Sequence, residues 1–347
     1  MSELRLNVVT REWVVIAPDR AERPTDHPPP SVRAGHVSHD PSCPFCAGNE
    51  TKTPEELLRV DHPDPPGWLV RVVRNKFPVL SSEQHEPTPR HAGLMHAVGG
   101  YGHHEVIIET PVHNLPIARM KMSELRALLF AYRSRSLVCR RDPRVALVIL
   151  FKNHGAGAGT SLIHPHSQLI ATPVVSYQVR DRIRGMEEHF ALYGECVLCR
   201  MIADELSAQV RLLHQNRSFV ALIPYAALSR YHIWVFPLRH MAWFGDISHD
   251  EVDDLADILR TVLGQLYYGL GDPDFNYLIR SAPRVCSPDE FHWYLSIVPR
   301  VGQAAGFELG SGIYVNPSLP EQSAAFLRAV RVPAPEPDAL STPPNTR

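Results

Sequence analysis

Apolar side chains at Leu125, Leu128, Leu129 and Tyr132 recur at the i, i+3, i+4 spacing of an amphipathic helix, and Val252, Leu255, Ile258, Leu259 and Val262 repeat it. A serine precedes each pattern as the expected N-cap: Ser123 before Glu124-Leu125-Arg126, and Ser248 before His249-Asp250-Glu251. The same succession of pieces surrounds both helices. A Cys-x-x-Cys opens each copy (Cys43/Cys46; Cys196/Cys199), followed by a short strand-like apolar piece (Phe77-Pro78-Val79-Leu80; Phe219 to Pro224). A strand then runs out through proline to a histidine: Glu105 to Thr110 and on to His113, Ile233 to Phe236 and on to His240. After each helix come a further strand (Val145 to Phe151; Phe275 to Ile279) and a closing strand that carries a histidine. His164 follows His113 by 51 residues, and His292 follows His240 by 52. The pattern predicts two copies of one plan, over 1–180 and 190–332, with a linker within 174–195. The Pro- and His-rich stretch 24–42 reads as a loop, and 333–347 as a disordered tail.

The closing strand of the first copy carries the most chemistry. In His164-Pro165-His166-Ser167-Gln168, leading into Leu169-Ile170-Ala171-Thr172-Pro173, polar and small residues give way to apolar ones. Alternate side chains of a strand share a face, so His164, His166 and Gln168 are expected in file, roughly 7 Å apart. Just upstream, Asn153-His154-Gly155-Ala156-Gly157-Ala158-Gly159-Thr160-Ser161 is a loop of small residues whose backbone N–H groups can approach phosphates. In the second copy His164-Pro165-His166 becomes His292-Trp293-Tyr294. The first histidine is kept and the second is lost, which implies one active half and one silent half.

Composition narrows the picture without changing it. A chain of 347 residues favours two domains, and 21% charged with 44% hydrophobic residues is ordinary for a soluble globular protein. The net charge of -2 gives no pull toward nucleic acid or an anionic membrane, so anionic ligands need a local site. No apolar run approaches membrane-spanning length and the N-terminus lacks a signal-peptide core, which makes the cytoplasm the expected compartment.

Four of the six cysteines lie in the two Cys-x-x-Cys pairs, and Cys139 and Cys286 read as structural. Two thiolates and two imidazoles complete a tetrahedral site, so Cys43, Cys46, His113 and His164 form one expected zinc site, and Cys196, Cys199, His240 and His292 a second. A thioredoxin-type redox motif would not need matched histidines twice over. His103 and His104 compete with His113 for the first site; His113 is preferred because His240 is its counterpart. With no open position, each ion is expected to be structural, and the second site could hold iron instead.

His166 is the candidate nucleophile. A neutral imidazole whose other nitrogen is held by a hydrogen bond can attack phosphorus and form a labile phosphoramidate. Gln168 can donate its amide to a phosphate oxygen, and as a poor acid and base it favours transfer over hydrolysis. Arg20 and Arg23 can supply charge to a diphosphate.

These residues resemble the galactose-1-phosphate uridylyltransferase branch of the histidine-triad superfamily, through nearly the whole chain. The resemblance rests on Glu12 to Pro18, Cys43-Pro44-Phe45-Cys46-Ala47-Gly48-Asn49, Arg74-Asn75-Lys76-Phe77-Pro78, Phe151-Lys152-Asn153 and His164 to Gln168. It implies two tandem histidine-triad-like α+β domains, each a mostly antiparallel sheet with helices. It also implies ping-pong transfer of a nucleoside monophosphate from a nucleotide sugar to His166 and on to a sugar 1-phosphate. Asn75, Lys76 and Phe77 would lie near the nucleobase and ribose; Asn153, Gly159, Ser161 and Gln168 would contact phosphates, with Arg20 and Arg23 close by. A homodimer is expected.

The second Cys-x-x-Cys, Tyr294 and the segment Gly306 to Tyr314 also look like relatives that include ADP-glucose phosphorylases, which transfer AMP to phosphate. UDP-glucose:hexose-1-phosphate uridylyl transfer is the leading expectation, and adenylyl transfer from ADP-glucose the alternative. Two other classes remain: a nucleotide hydrolase, disfavoured by Gln168 standing where hydrolases carry a third histidine, and a non-catalytic zinc module.

Overall fold

In the computed structural model, residues 1–22, 37–62, 66–83, 89–302 and 305–336 are described. Arg23, most of the loop 24–42, and the tail from 337 onward lie outside them. The first half contributes strands β1 (Glu3–Leu6), β2 (Trp13–Ile16), β3 (Glu56–His62), β4 (Gly67–Arg74), β5 (Arg90–Ala92), β6 (Met95–Ala97), β7 (His103–Ile108), β8 (Leu147–His154) and β9 (His166–Thr172). The second contributes β10 (Leu212–Gln215), β11 (Phe219–Leu222), β12 (Ile233–Pro237), β13 (Phe275–Arg280), β14 (Tyr294–Pro299) and β15 (Tyr314–Asn316). The helices are α1 (Met122–Arg141), α2 (Tyr177–Tyr193), α3 (Val197–Ala208), α4 (His249–Leu270), α5 (Gly306–Ser311) and α6 (Pro320–Ala329). None is long and apolar enough to cross a membrane.

The fold is α+β and is built on one ten-stranded antiparallel sheet, ordered β10-β11-β12-β14-β13-β8-β9-β7-β4-β3. The order mirrors itself about the β13–β8 junction, so the sequence repeat appears as two strand sets meeting edge to edge. At that junction Asn276 pairs with Asn153 and Tyr277 with Lys152. A smaller sheet, β1-β2-β15, ties the C-terminal segment back to the N-terminus, with β15 parallel to β2.

All the apolar positions that announced the two helices enter one core with the sheet. Each fully buried leucine there contributes about 1.5–3 kcal/mol. Ser248 caps α4 as expected: its Oγ accepts from Glu251 N–H at 3.2 Å, and Glu251 Oε2 accepts from Ser248 N–H at 2.7 Å. The cap of α1 is different. Lys121 is its N-cap and Ser123 lies inside the first turn, because Glu124 Oε2 accepts from Lys121 N–H at 2.7 Å. Phe77-Pro78-Val79-Leu80 is not a strand either. Asn75 Oδ1 accepts from Phe77 N–H at 2.8 Å and turns the chain, and Pro78 has no N–H for a ladder; the strand here is β4. The segment between the halves carries α2, with Ser176 Oγ accepting from Val179 N–H at 3.4 Å.

The opposite sheet face is covered twice. Phe45 and Trp68 pack over Val73, Val106 and Ile108 in the first half; α2 and α3 pack over β11, β12 and β14 in the second. Between these covers, one continuous face carries His104, Gln168, Asn153 and Asn276.

Candidate active site

His166 begins β9, and His164 stands just ahead of the strand rather than within it. Both rings nevertheless meet Phe45 edge-on, at centroid distances of 5.4 Å for His166 and 5.9 Å for His164. His166 Nδ1 lies 2.9 Å from the His164 carbonyl oxygen. The carbonyl can only accept, so Nδ1 carries the proton and Nε2 of the neutral ring keeps its lone pair. Burial holds the imidazole below its ordinary value, and Lys152 opposes its protonation further, so it stays neutral at physiological pH. Such a nitrogen is able to attack phosphorus.

Gln168 shares a face with His166. Its Oε1 lies 2.8 Å from His104 Nε2, while Val79 N–H donates to His104 Nδ1 at 3.1 Å. Nδ1 is therefore the acceptor, Nε2 carries the proton, and Gln168 Oε1 is taken. The amide NH2 of Gln168 remains for a ligand. Asn75 Nδ2 lies 3.0 Å from His104 Nε2, but both are then donors and no hydrogen bond joins them. His104 is thus a site residue that the sequence reading weighed only as a metal ligand. Its pairing through β7 was the missing signal, since only the sheet register brings it beside Gln168.

Asn153 is held in a matching way. Asn276 Nδ2 donates to Asn153 Oδ1 at 2.8 Å and to the Ala158 carbonyl at 2.8 Å, which leaves the Asn153 NH2 uncommitted by this contact. A Cβ built on Gly159 would lie 4.0 Å from Asn153 Nδ2, and φ of +90° suits glycine. Ser161 is exposed on the loop behind it. Arg74, Asn75, Lys76 and His104 border a cavity of about 410 Å³ at the far end of the row, and Phe77 is exposed nearby. Arg20 lies on the other side of the junction, lining a cavity with Asn276.

Behind β9 a buried ion pair supports the row. Lys152 Nζ lies 2.5 Å from Glu109 Oε2 and 3.4 Å from the His166 carbonyl oxygen. Tyr132 donates to Glu109 Oε1 at 3.2 Å, and Ser167 and Tyr277 join the same cluster. Both charges are almost fully buried.

Two Cys2His2 clusters can hold a metal ion. In the first, Cys46 Sγ lies 3.4 Å from His113 Nδ1 and 3.6 Å from His164 Nδ1, and Cys43 Sγ lies 3.7 Å from His164 Nδ1. In the second, Cys199 Sγ lies 3.2 Å from His240 Nδ1 and 3.4 Å from His292 Nδ1, with Cys196 alongside. A tetrahedral zinc bound to sulfur at about 2.3 Å and nitrogen at about 2.0 Å sets its ligand atoms roughly 3.3–3.8 Å apart, so the donors fit. The outer nitrogens fit as well. His164 Nε2 faces the Thr110 carbonyl at 2.8 Å, His240 the Pro288 carbonyl at 2.8 Å and His292 the Pro237 carbonyl at 3.0 Å, which leaves each Nδ1 free to ligate. Burial pulls His164 down to about 4 and pushes the Cys43 thiol up, so a cation is what would make thiolate ligands stable there. The rival ligands are elsewhere: His103 faces Asp142 at 3.3 Å, and His104 faces Gln168.

Comparison with known proteins agrees with this geometry. Residues 1–176 match the family model for the galactose-1-phosphate uridyl transferase N-terminal domain, and 118–328 match a domain of unknown function. The chain is 35% identical over 332 residues to an ADP-glucose phosphorylase of Arabidopsis thaliana, covering 94% of this chain and 93% of that one. It is 25% identical over 342 residues to a galactose-1-phosphate uridylyltransferase of Thermotoga maritima, covering 96% and 99%. The crystal structure of an Arabidopsis thaliana ADP-glucose phosphorylase with bound ADP-glucose superposes with a TM-score of 0.82 at 34% identity, over 96% of this chain and 100% of that one. A uridylyltransferase structure gives 0.72 at 25% identity, over 95% and 98%. The chain is a nucleotidyltransferase-type enzyme that belongs to the galactose-1-phosphate uridylyltransferase family.

Proposed function

We propose that the chain moves a nucleoside monophosphate from a nucleotide sugar to a phosphate-bearing acceptor by way of His166, and that the nucleotide is adenylyl, from ADP-glucose. His166 Nε2 attacks the α-phosphorus; the N–P bond forms as the P–O bond to the sugar phosphate breaks, and that phosphate carries the electron pair away. The acceptor oxygen then attacks the same phosphorus, the N–P bond breaks, and the neutral imidazole returns. The observation that carries this reading is the His166–His164 carbonyl contact at 2.9 Å, which leaves Nε2 as the free nucleophilic nitrogen. The Gln168 and Asn153 amides hold phosphate oxygens and cannot activate water, which favours transfer over hydrolysis.

The choice of adenylyl over the uridylyl transfer first expected from the sequence rests on similarity. Identity is 35% to the ADP-glucose phosphorylase and 25% to the uridylyltransferase, and the structural match follows the same order. Zinc is the proposed ion at both Cys2His2 clusters, where it would fix strand ends and take no part in the transfer. Turnover with ADP-glucose plus inorganic phosphate, compared with UDP-glucose plus galactose 1-phosphate, tests the choice. Preference for the first pair by tenfold or more in kcat/KM is expected; preference for the second returns the reading to uridylyl transfer.

A further inference from the structure

The loop from β8 to β9 bends through Gly155 and Gly159, with φ of +88° and +90°, around a single tight turn at Ala156 to Ala158. Glycines permit such a bend but do not hold it, because their backbone is the freest of any residue. The hold comes from the other half of the chain. Gly271 ends α4 in the left-handed conformation, and the chain then runs through 272–274 into β13, beside β8 and its loop.

Alternate residues of that segment each grip the loop. Asp272 Oδ1 lies 2.7 Å from His154 Nε2, and the His154 ring stacks on Phe275 at 4.6 Å. Asp274 Oδ2 accepts from Gly157 N–H at 2.5 Å. Asn276 Nδ2 donates to the Ala158 carbonyl at 2.8 Å. Asp274 is itself anchored, since its carbonyl oxygen accepts from Arg300 N–H at 2.7 Å just past β14. The grip is tightest at Gly157. A Cβ built there would lie 2.7 Å from Asp274 Oδ2, although the backbone is not in the left-handed region. The approach of the carboxylate, and not the bend, is what requires glycine at this position.

We propose that Asp274 is a positioning residue for the transfer: from the half that lacks the second histidine, it fixes the loop running from Asn153 to Ser161. This role rests on the transfer reading above. An ionised acceptor binds an N–H more strongly than a neutral one does. It therefore holds a glycine-rich loop in one shape before substrate arrives. Asn153 and Ser161 stand at the two ends of the held segment, so their reach to a phosphate is set by it.

Rapid-quench formation of the nucleotidyl adduct at saturating ADP-glucose, on folded, metal-loaded, full-length protein, tests the role. Asp274→Ala is expected to slow adduct formation about tenfold or more, with ADP-glucose affinity changed less than about threefold. Gly157→Ala leaves Asp274 in place but pushes its carboxylate off the N–H, and should be slow in the same way. Recovery by Asp274→Asn assigns the hold to the acceptor oxygen; no recovery assigns it to the charge, and both support the role. An Asp274→Ala rate within about twofold of wild type overturns it, as does a loss confined to affinity. Should Asp274→Ala not fold, the Gly157→Ala rate decides in the same two directions. Absence of any adduct in wild type sinks the transfer reading, and hydrogen exchange then judges the hold. Faster exchange across 153–161 in Asp274→Ala supports it; unchanged exchange overturns it.

Discussion

His104 Nε2 stands 2.8 Å from Gln168 Oε1 across the β7–β9 pair, and this contact leaves the NH2 end of the amide uncommitted. Without it the carboxamide can turn its oxygen toward a phosphate, where it repels. His104→Ala is expected to slow formation of the nucleotidyl enzyme about tenfold to a hundredfold while leaving the nucleotide-sugar KM little changed. Rapid-quench single turnovers measure the first and steady-state kinetics the second; a rate equal to wild type contradicts the role given to His104.

The Glu109–Lys152 pair is buried beneath β9. Lys152→Met leaves a buried carboxylate unpaired and is expected to cost about 3–5 kcal/mol. Glu109→Gln combined with Lys152→Met should recover most of that loss, because no buried charge remains. Urea unfolding of the single and double variants checks both statements.

His232 sets an acid limit. Burial, with Arg280 and Arg182 adding to it, pulls this histidine from 6.5 down to about 3. The unfolded chain takes up a proton near 6.5 that the native chain refuses down to about 3, so stability is whole above 6.5 and drains as pH falls. At pH 5 this loss is about 2 kcal/mol. His232→Gln should lose less stability than wild type between pH 7.5 and 5, as read from urea midpoints at the two values; an equal loss contradicts the assignment.

Much of this was readable in the chain, and the failures have physical causes. The helix periodicities at Leu125 to Tyr132 and Val252 to Val262 both entered the core, because apolar spacing reports a buried face directly. The Cys-x-x-Cys pairs and their distant histidines came together because the repeat gave matched spacings. Ser123 was misplaced as a cap because Glu124 and the extended backbone of Lys121 settle the helix start, which residue type alone does not reveal. Phe77 to Leu80 looked like a strand by apolar content, while the Asn75 turn and Pro78 kept it out. His104 was singled out only as a rival metal ligand, and Asn276 was not singled out. The places of His104 and Asn276 depend on register across β7–β9 and β8–β13, which pairs residues far apart in sequence.

Metal analysis is expected to find two ions per chain. Cys199→Ser should lose one and keep the ability to form the nucleotidyl adduct, since that cluster lies in the half without a second histidine. Cys43→Ser should lose the other ion together with folded protein and adduct, because its cluster holds His164, whose carbonyl accepts the hydrogen bond from His166 Nδ1–H. A fully active, stable Cys43→Ser protein speaks against a structural ion at the first cluster.

The central claim is a temporary bond between phosphorus and His166. Mixing the protein with ADP-glucose in the absence of acceptor, quenching in alkali and mapping the modified peptide by mass spectrometry tests it most directly. An adenylyl group on His166, absent from His166→Ala protein of normal metal content, is the expected result. A nucleotide on another residue, or full turnover by His166→Ala, would contradict it.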